Sequence, residues 1–260
     1  WGGPNFPLDP PSQEKFMKEH SELDFYVPIE GELGFSKIVE RFLESKSLDQ
    51  IFENPIENCV SLKEGKVQYT FSNSRIKKLD DIASPYTTGL LDEFFDGKLS
   101  PMLQTNRGCP FTCTFCTDGK DDVMQVNRFS PDRIKADLDY IGSHVPQNTH
   151  TLYISDLNFG MLPGDLKTCD SIVDIQNKYD FPHKVLSTTG KNNKEKIIES
   201  INRLNGTMAL SMSVQSMDQN VLKNIRRANI STAKMIELAP AIKKYDIRTT
   251  SEIIMGLPGE

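Results

Sequence analysis

Several features that define specialised protein classes are missing from this chain. No apolar run approaches the ~20 residues that cross a bilayer, and the mean hydropathy is −0.43, so we expect no membrane partner. There is no signal-peptide pattern and there are only five cysteines, so we expect reduced thiols in the cytoplasm and no disulfide framework. A net charge of −6 argues against nucleic acid as a partner.

Three of the five cysteines are concentrated in one short stretch. Cys109, Cys113 and Cys116 have the spacing C-x3-C-x2-C, and Phe115 directly precedes the last of them. Three thiolates this close can bind three irons of a four-iron cluster and leave the fourth iron open for chemistry. A zinc site is the alternative, but it needs a fourth ligand, and the nearest histidines are His144 and His150.

Strands and helices alternate along the chain after Pro101. Apolar patterning predicts helices between strands at 102–105, 151–155, 184–188, 207–214 and 248–255. Ser130-Pro131 has the pattern of a helix start. A later helix, starting at Ser231 and burying Met235, should be kinked or split by Pro240. Repeated β-α units predict parallel strands, as a barrel or an open sheet, with the active site at their carboxyl ends.

The residues before Pro101 form two further segments. Residues 1–55 have the pattern of the end of an α/β domain, with a helix at 11–20, a strand at 23–27 and a turn at 30–32. The next helix has one apolar face, composed of Phe35, Ile38, Val39, Phe42 and Leu43. Residues 56–100 form a connector, in which 58–63 and 67–71 are predicted to pair as a hairpin.

The cysteine spacing, with its aromatic residue, resembles the signature of the radical S-adenosylmethionine (SAM) enzymes. The resemblance implies a partial (β/α)6 barrel over residues 101–260, truncated after its fifth strand. It implies a [4Fe-4S] cluster on Cys109, Cys113 and Cys116, with SAM chelating the open iron. In this family one electron from the cluster cleaves SAM to a 5′-deoxyadenosyl radical, and the electron donor is of the flavodoxin or ferredoxin type.

The same resemblance assigns SAM-binding roles at the ends of the predicted strands. It implies that the Phe115 backbone meets the adenine, that Ile254 flanks the ring, and that the small residue Gly256 lets the backbone approach. By resemblance to the oxygen-independent coproporphyrinogen oxidases, Ser213 and Gln215 contact the ribose. These assignments rest on the motifs Ser213-Val214-Gln215 and Gly256-Leu257-Pro258-Gly259-Glu260.

Two charged groups complete the expected site. Arg227, twelve residues past Gln215, is expected to pair with the SAM carboxylate through a bidentate fork, with Arg226 as its rival. Asp156 stands where many family members have Gly-Gly-Glu, and it is expected to accept from the SAM ammonium group. A turn or a helix cap is the alternative role for Asp156.

The first 55 residues resemble the end of a cobalamin-binding Rossmann-like domain. The resemblance rests on the turn Gly2-Gly3-Pro4 and on Ile29-Glu30-Gly31-Glu32, whose first position is Ile where such domains have Gly. An edge of any flavodoxin-like sheet is the alternative. We expect the chain to be a piece of a longer protein, truncated in both domains, with any histidine ligand to cobalamin upstream of residue 1.

The combined expectation is a radical SAM enzyme that abstracts hydrogen from an unreactive carbon. Methyl transfer from cobalamin is a second step that the resemblance suggests for the whole protein. The substrate, a small molecule or a peptide, is not determined by this sequence. Two alternatives stay open: a tRNA-modifying enzyme similar to the methylthiotransferases, and a non-catalytic zinc- or iron-binding module.

Overall fold

The chain forms two compact units, Trp1–Lys77 and Lys78–Glu260. The computed structural model describes residues 1–3, 6–7, 9–69, 75–190, 193–211, 213–229, 231, 233 and 236–260. The segment 56–100, predicted as a connector, is divided between the two units. Its hairpin belongs to the first unit, and residues 78–100 belong to the second. None of the helices in the described part of the chain has the length and apolar character to cross a membrane.

A four-stranded sheet organises the first unit. Its strands, in spatial order, are β1 (Gly2–Gly3), β2 (Phe25–Pro28), β3 (Val60–Lys63) and β4 (Lys66–Tyr69). The first pair is parallel and the others are antiparallel. The predicted hairpin is confirmed as β3 and β4. Its turn residues Glu64 and Gly65 both have positive φ, as a two-residue turn between twisted strands requires.

In the described part of this unit, three helices accompany the sheet: α1 (Pro10–Glu19), α2 (Gly31–Glu44) and α3 (Leu48–Ile51). The turn predicted at 30–32 is wrong, because α2 already begins at Gly31. On the apolar face of α2, Ile38 packs against the core cluster of Val27, Ile56 and Cys59. The other members of that face are exposed: Phe35, Val39, Phe42 and Leu43.

The second unit contains seven strands in its described residues. They are β5 (Met102–Leu103), β6 (Asn106–Arg107), β7 (Asn127–Arg128), β8 (Thr151–Phe159), β9 (Lys184–Thr189), β10 (Leu210–Ser211) and β11 (Thr249–Thr250). β5, β8 and β9 form a parallel sheet in that order, and β10 pairs in parallel with β11. A bridge between Val185 and Met208 joins β9 to the segment that leads into β10.

Each of these parallel strands therefore lies beside the next one along the chain. An open doubly wound sheet reverses its strand order at a switch point, whereas a barrel keeps the chain order. The order β5, β8, β9, β10, β11 confirms the α/β class and favours the barrel. The last two strands are shorter than predicted, although a further bridge joins Gln215 to Ile253 beyond them. Met212, inside the predicted fourth strand, lies outside the described residues.

In the described residues, helices with defined bounds connect the strands: α4 (Pro131–His144), α5 (Asp165–Tyr179), α6 (Lys194–Arg203), α7 (Gln219–Asn224) and α8 (Ala239–Lys244). The predicted cap of α4 is confirmed, because the Ser130 hydroxyl accepts from the Arg133 N–H at 3.1 Å. α8 begins just before Pro240, which lies in its first turn, where proline is tolerated. Met235, expected in the same core, lies outside the described residues.

Candidate functional site

The segment between β6 and β7 contains Cys109, Cys113 and Cys116 and is called the cysteine loop. A short antiparallel pair of strands closes this loop at its base. Asn106 in β6 pairs with Arg128 in β7, and Arg107 pairs with Asn127. Gly108 begins the loop with φ of 116°, and a side chain there would place its Cβ 2.3 Å from the Gln125 carbonyl oxygen. This position therefore needs glycine, and the loop leaves β6 in a direction that a larger residue would prevent.

Backbone hydrogen bonds hold the three cysteines within this loop. The Cys109 N–H donates to the Val123 carbonyl at 3.0 Å, and the Cys116 N–H donates to the Cys113 carbonyl at 3.1 Å. Cys109 and Cys113 are buried, and Cys116 is half-buried. The loop follows β5, so it lies at the carboxyl end of the first barrel strand, where the sequence places a catalytic loop.

The cysteines have the donor chemistry of a cluster site rather than the geometry of a single-ion site. In the part of the chain that the structure describes, no three His, Cys, Asp or Glu side chains converge on one metal position. A four-iron cluster does not require that convergence, because each thiolate binds a different iron. The loop therefore fits a cluster in ligand type and in ligand number.

Asp156, predicted to accept from the SAM ammonium, faces the base of the loop. Its Oδ1 accepts from the N–H groups of Thr105 at 2.7 Å and Asn106 at 3.3 Å. Its Oδ2 accepts from the Asn106 side chain at 2.6 Å and from the Thr105 hydroxyl. Burial raises the pKa of Asp156 to about 6, although these donors oppose the shift. These hydrogen bonds link β8 to the start of β6. The role of Asp156 toward SAM stays a prediction.

An ion pair extends this polar network. Arg128 of β7 pairs with Asp165 at the start of α5, and its Nη1 lies 3.4 Å from the Thr105 hydroxyl oxygen. The Asp165 side chain is almost fully buried. Burial raises the pKa of Asp165, and the neighbouring Arg128 charge opposes that shift. The strand pair under the cysteine loop is therefore tied to both β8 and α5.

Arg227 is buried against the cysteine loop. Its Nη1 lies 3.9 Å from the Cys113 sulfur, and its guanidinium carbon lies 6.0 Å from the centre of the Phe115 ring. Nη2 donates to the Ser213 carbonyl, and Nε donates to the Asn229 side chain at 2.7 Å. The structure thus brings together three of the predicted site residues, Arg227, Phe115 and Ser213, around the loop.

The end of α7 explains why Arg227, and not Arg226, points toward this loop. Arg226 has a φ of 51°, and its N–H donates to the Lys223 carbonyl at 3.1 Å. The Arg227 N–H donates to the Leu222 carbonyl at 2.9 Å. These two bonds form a Schellman cap, which reverses the chain at Arg226. Arg226 is exposed, and Arg227 lies past the helix rather than on it.

Gln215 and Ser213 lie at the carboxyl end of the fourth barrel strand. Gln215 is buried with a φ of 62°, and its backbone is held by the Glu252 carbonyl and the Ile254 N–H. Among the described residues its Oε1 has no hydrogen-bond partner. The Ser213 hydroxyl donates to Glu252 Oε2 at 2.7 Å. A buried, unsatisfied acceptor at this edge is suited to a ligand that carries hydroxyl donors.

The remaining predicted residues are Ile254, Gly256 and Phe115. Ile254 packs against the cluster of Val221, Leu222, Ile225 and Leu257. Gly256 has a φ of 77°, and a Cβ there would meet no atom within 4 Å. Phe115 is 37% exposed, so its ring is not core packing. Whether these residues contact adenine stays a prediction.

Asn158 is the polar residue near the cysteines that the sequence analysis missed. It is buried on β8, and its side-chain Nδ2 lies 3.3 Å from the Cys109 sulfur. The only sequence signal was its place shortly after the strand predicted at 151–155, two residues after Asp156. Polar residues at that position are common in turns, so the pattern alone did not distinguish it.

Comparison with known proteins agrees with the family resemblance that the cysteine spacing indicated. Residues 103–260 match the sequence model of the Radical SAM superfamily. Over its whole length the chain is 27% identical to the cobalamin-dependent radical SAM methyltransferase TokK of Streptomyces tokunonensis. It is 26% identical to the 2-(S-pantetheinyl)-carbapenam-3-carboxylate methyltransferase of Streptantibioticus cattleyicolor. The chain spans 38% of the length of each of these two relatives.

Solved structures share the fold of the chain. The cobalamin-dependent S-adenosylmethionine radical enzyme OxsB matches with a TM-score of 0.66 at 20% identity, over 97% of this chain and 36% of OxsB. The radical S-adenosylmethionine methyltransferase TsrM of Kitasatospora setae matches with a TM-score of 0.70 at 11% identity, over 93% of this chain and 49% of TsrM. At these identities the likeness concerns the fold alone.

Proposed function

Because this chain belongs to the radical SAM superfamily, we propose that it is the catalytic core of an enzyme that cleaves SAM reductively. Cys109, Cys113 and Cys116 hold a [4Fe-4S] cluster in this proposal. When bound, the cluster supplies the electron that splits SAM into methionine and a 5′-deoxyadenosyl radical. The observation that supports this most directly is the three-cysteine loop at the carboxyl end of β5, with buried donors facing two of its sulfurs.

The residues around the loop would bind and orient SAM. Arg227 is preorganised to pair with its carboxylate, because two neighbours already fix the plane of the guanidinium. The unsatisfied Oε1 of Gln215 accepts a ribose hydroxyl in this proposal. Phe115, Ile254 and Gly256 border the space assigned to adenine. Arg227 and Gln215 are buried, and in this proposal they limit the access of water to the position where the radical forms.

For the whole protein we propose cobalamin-dependent methyl transfer to an unreactive carbon, with a flavodoxin or ferredoxin as electron donor. Both relatives described above are named methyltransferases, and one of them is named as cobalamin-dependent. OxsB has been solved with aqua-cobalamin and SAM bound. Unit Trp1–Lys77, whose first strands are joined in parallel, supplies the end of the cobalamin-binding domain in this proposal.

The cluster assignment is tested by metal analysis of the protein purified without oxygen. We expect about four irons per chain and reductant-dependent formation of 5′-deoxyadenosine. The variant with Cys109, Cys113 and Cys116 changed to Ala should lose both. A matched variant with Cys59→Ala and Cys169→Ala should keep its iron, because both of these thiols are buried and their pKa is raised, to about 11 and about 12.

Two results would contradict the proposal. One is zinc in place of iron after anoxic reconstitution. The other is iron content that survives in the triple variant. Methyl transfer through cobalamin leaves S-adenosylhomocysteine, whereas radical cleavage leaves 5′-deoxyadenosine. Detection of both products with a methylated substrate would support the finer assignment, and 5′-deoxyadenosine alone would limit the function to hydrogen abstraction.

A further inference from the structure

Asn158 has a hydrogen-bonding arrangement that the proposed catalytic roles do not use. Its side chain is 2% exposed, and Nδ2 lies 3.3 Å from the sulfur of Cys109. Its Oδ1 has no partner in the described part of the chain. Buried amides usually have both ends satisfied, so an asparagine that uses its one hydrogen bond on a cysteine sulfur needs an explanation.

The orientation of this amide follows from the chemistry of the sulfur. An iron-bound thiolate is an acceptor and has no proton to donate, so only the NH2 end of Asn158 can face it favourably. With the opposite orientation, the amide oxygen would face the negative sulfur. The partner of Cys109 is therefore the N–H group, and the oxygen is the end that stays unsatisfied.

The surrounding strands fix Asn158 in this position. Ile154, Asp156 and Asn158 lie on the same, buried side of β8. Asp156 binds the backbone and side chain of Asn106, three residues before Cys109. Strand β8 thus positions the start of the cysteine loop through Asp156. Asn158, the next residue on the same side of the strand, contacts the Cys109 sulfur. The contact does not depend on a flexible surface side chain.

We propose that Asn158 is a positioning residue that raises the reduction potential of the cluster through its N–H···S bond to Cys109. Reduction adds negative charge to the cluster and its sulfurs, so a hydrogen-bond donor stabilises the reduced form more than the oxidised form. This inference rests on the proposed cluster. It concerns the ease of reduction, and it assigns Asn158 no contact with SAM.

The decisive measurement is a redox titration of the reconstituted protein without SAM, followed by electron paramagnetic resonance. Asn158→Leu keeps the size of the side chain and removes the donor. We expect it to shift the midpoint potential to a lower value, with iron content equal to that of the natural protein. Leu157→Ala changes the neighbour on the other, more exposed side of β8 and should leave the potential unchanged. An unchanged potential in a fully loaded Asn158→Leu protein overturns the inference.

A second measurement keeps the inference testable if Asn158→Leu loses iron. The natural protein, labelled with 15N at asparagine side chains, is examined in the reduced state by pulsed electron paramagnetic resonance. We expect a nitrogen coupling from the Nδ2 that faces the sulfur, and its absence overturns the inference. Failure of the cluster proposal itself has a different signature, because iron would then be missing from the natural protein or unaffected by the triple cysteine variant.

Discussion

At the scale of single residues, the two adjacent arginines after α7 should have separable roles. Arg227 is buried beside Cys113, whereas Arg226 is exposed. We expect Arg227→Lys to weaken SAM binding roughly tenfold to a hundredfold, because an ammonium cannot reproduce the bidentate fork. Arg226→Lys should leave the affinity unchanged. Equilibrium dialysis with the cluster-loaded protein measures the SAM affinity of both variants. Equal losses of affinity would show that the roles of the two arginines are misassigned.

Asp156 should give the protein a pH-dependent stability. Burial raises its pKa from 3.8 to about 6, so between these values the folded chain holds a proton that the unfolded chain has released. The contribution of Asp156 to the free energy of unfolding therefore decreases as the pH rises from about 4 to about 6. At 1.36 kcal/mol per pKa unit, the decrease is at most about 3 kcal/mol.

Denaturant unfolding followed by circular dichroism across this pH range measures the effect. We expect Asp156→Asn to reduce the slope, because its amide does not titrate. Asp174→Asn, at a side chain that is 64% exposed, should leave the slope as it is. Equal slopes in the natural protein and in the Asp156→Asn variant would contradict the contribution assigned to Asp156.

The residues of the site differ in how far the sequence determined them. The cysteines were predictable because their spacing is itself the ligand arrangement. Asn158 was not, since its contact with Cys109 joins positions 49 residues apart. The donors that occupy Asp156 also come from about 50 residues away. A strand-end pattern identifies polar residues, but it does not show which of them the fold will satisfy internally.

At the scale of elements, the N-cap of α4 offers a direct stability test. The Ser130 hydroxyl satisfies the Arg133 N–H, which has no partner within the helix. We expect Ser130→Ala to lower the free energy of unfolding by about 1 kcal/mol. Ser143→Ala, near the end of the same helix and exposed, should change it by less than about 0.5 kcal/mol. Chemical denaturation compares the two, and equal effects would show that the cap contributes no stability.

Helices were predicted more accurately than strands. α4 and α5 follow from caps and apolar periodicity, which are local properties of the sequence. β10 and β11 are two-residue strands, where the sequence predicted eight residues each. Strand length depends on how many backbone groups pair with a neighbouring strand, and here the paired residues, such as Leu210 and Thr249, lie far apart in the sequence. The sequence predicted one apolar face on α2, but only Ile38 of that face packs against the core of the first unit.

At the scale of the whole molecule, the two units should respond separately to changes in their cores. Met17 is fully buried in the cluster of Phe6, Leu23, Tyr26 and Val60, all in the first unit. We expect Met17→Ala to lower protection against hydrogen exchange in residues 1–77 by about 2–5 kcal/mol. Protection in α4 and α5 should be unchanged. A uniform loss across both units would show that they unfold as one.

The pairing of β6 with β7 has a consequence for how the protein matures. All three thiols lie between 109 and 116, inside a loop that this pairing closes between Asn106 and Arg128. Closing so short a segment has a small entropic cost compared with assembling a barrel. Asn158 and Arg227, by contrast, reach the loop only across 49 and 114 residues of chain. We therefore expect the three thiols to come together in this short loop before the barrel closes around it.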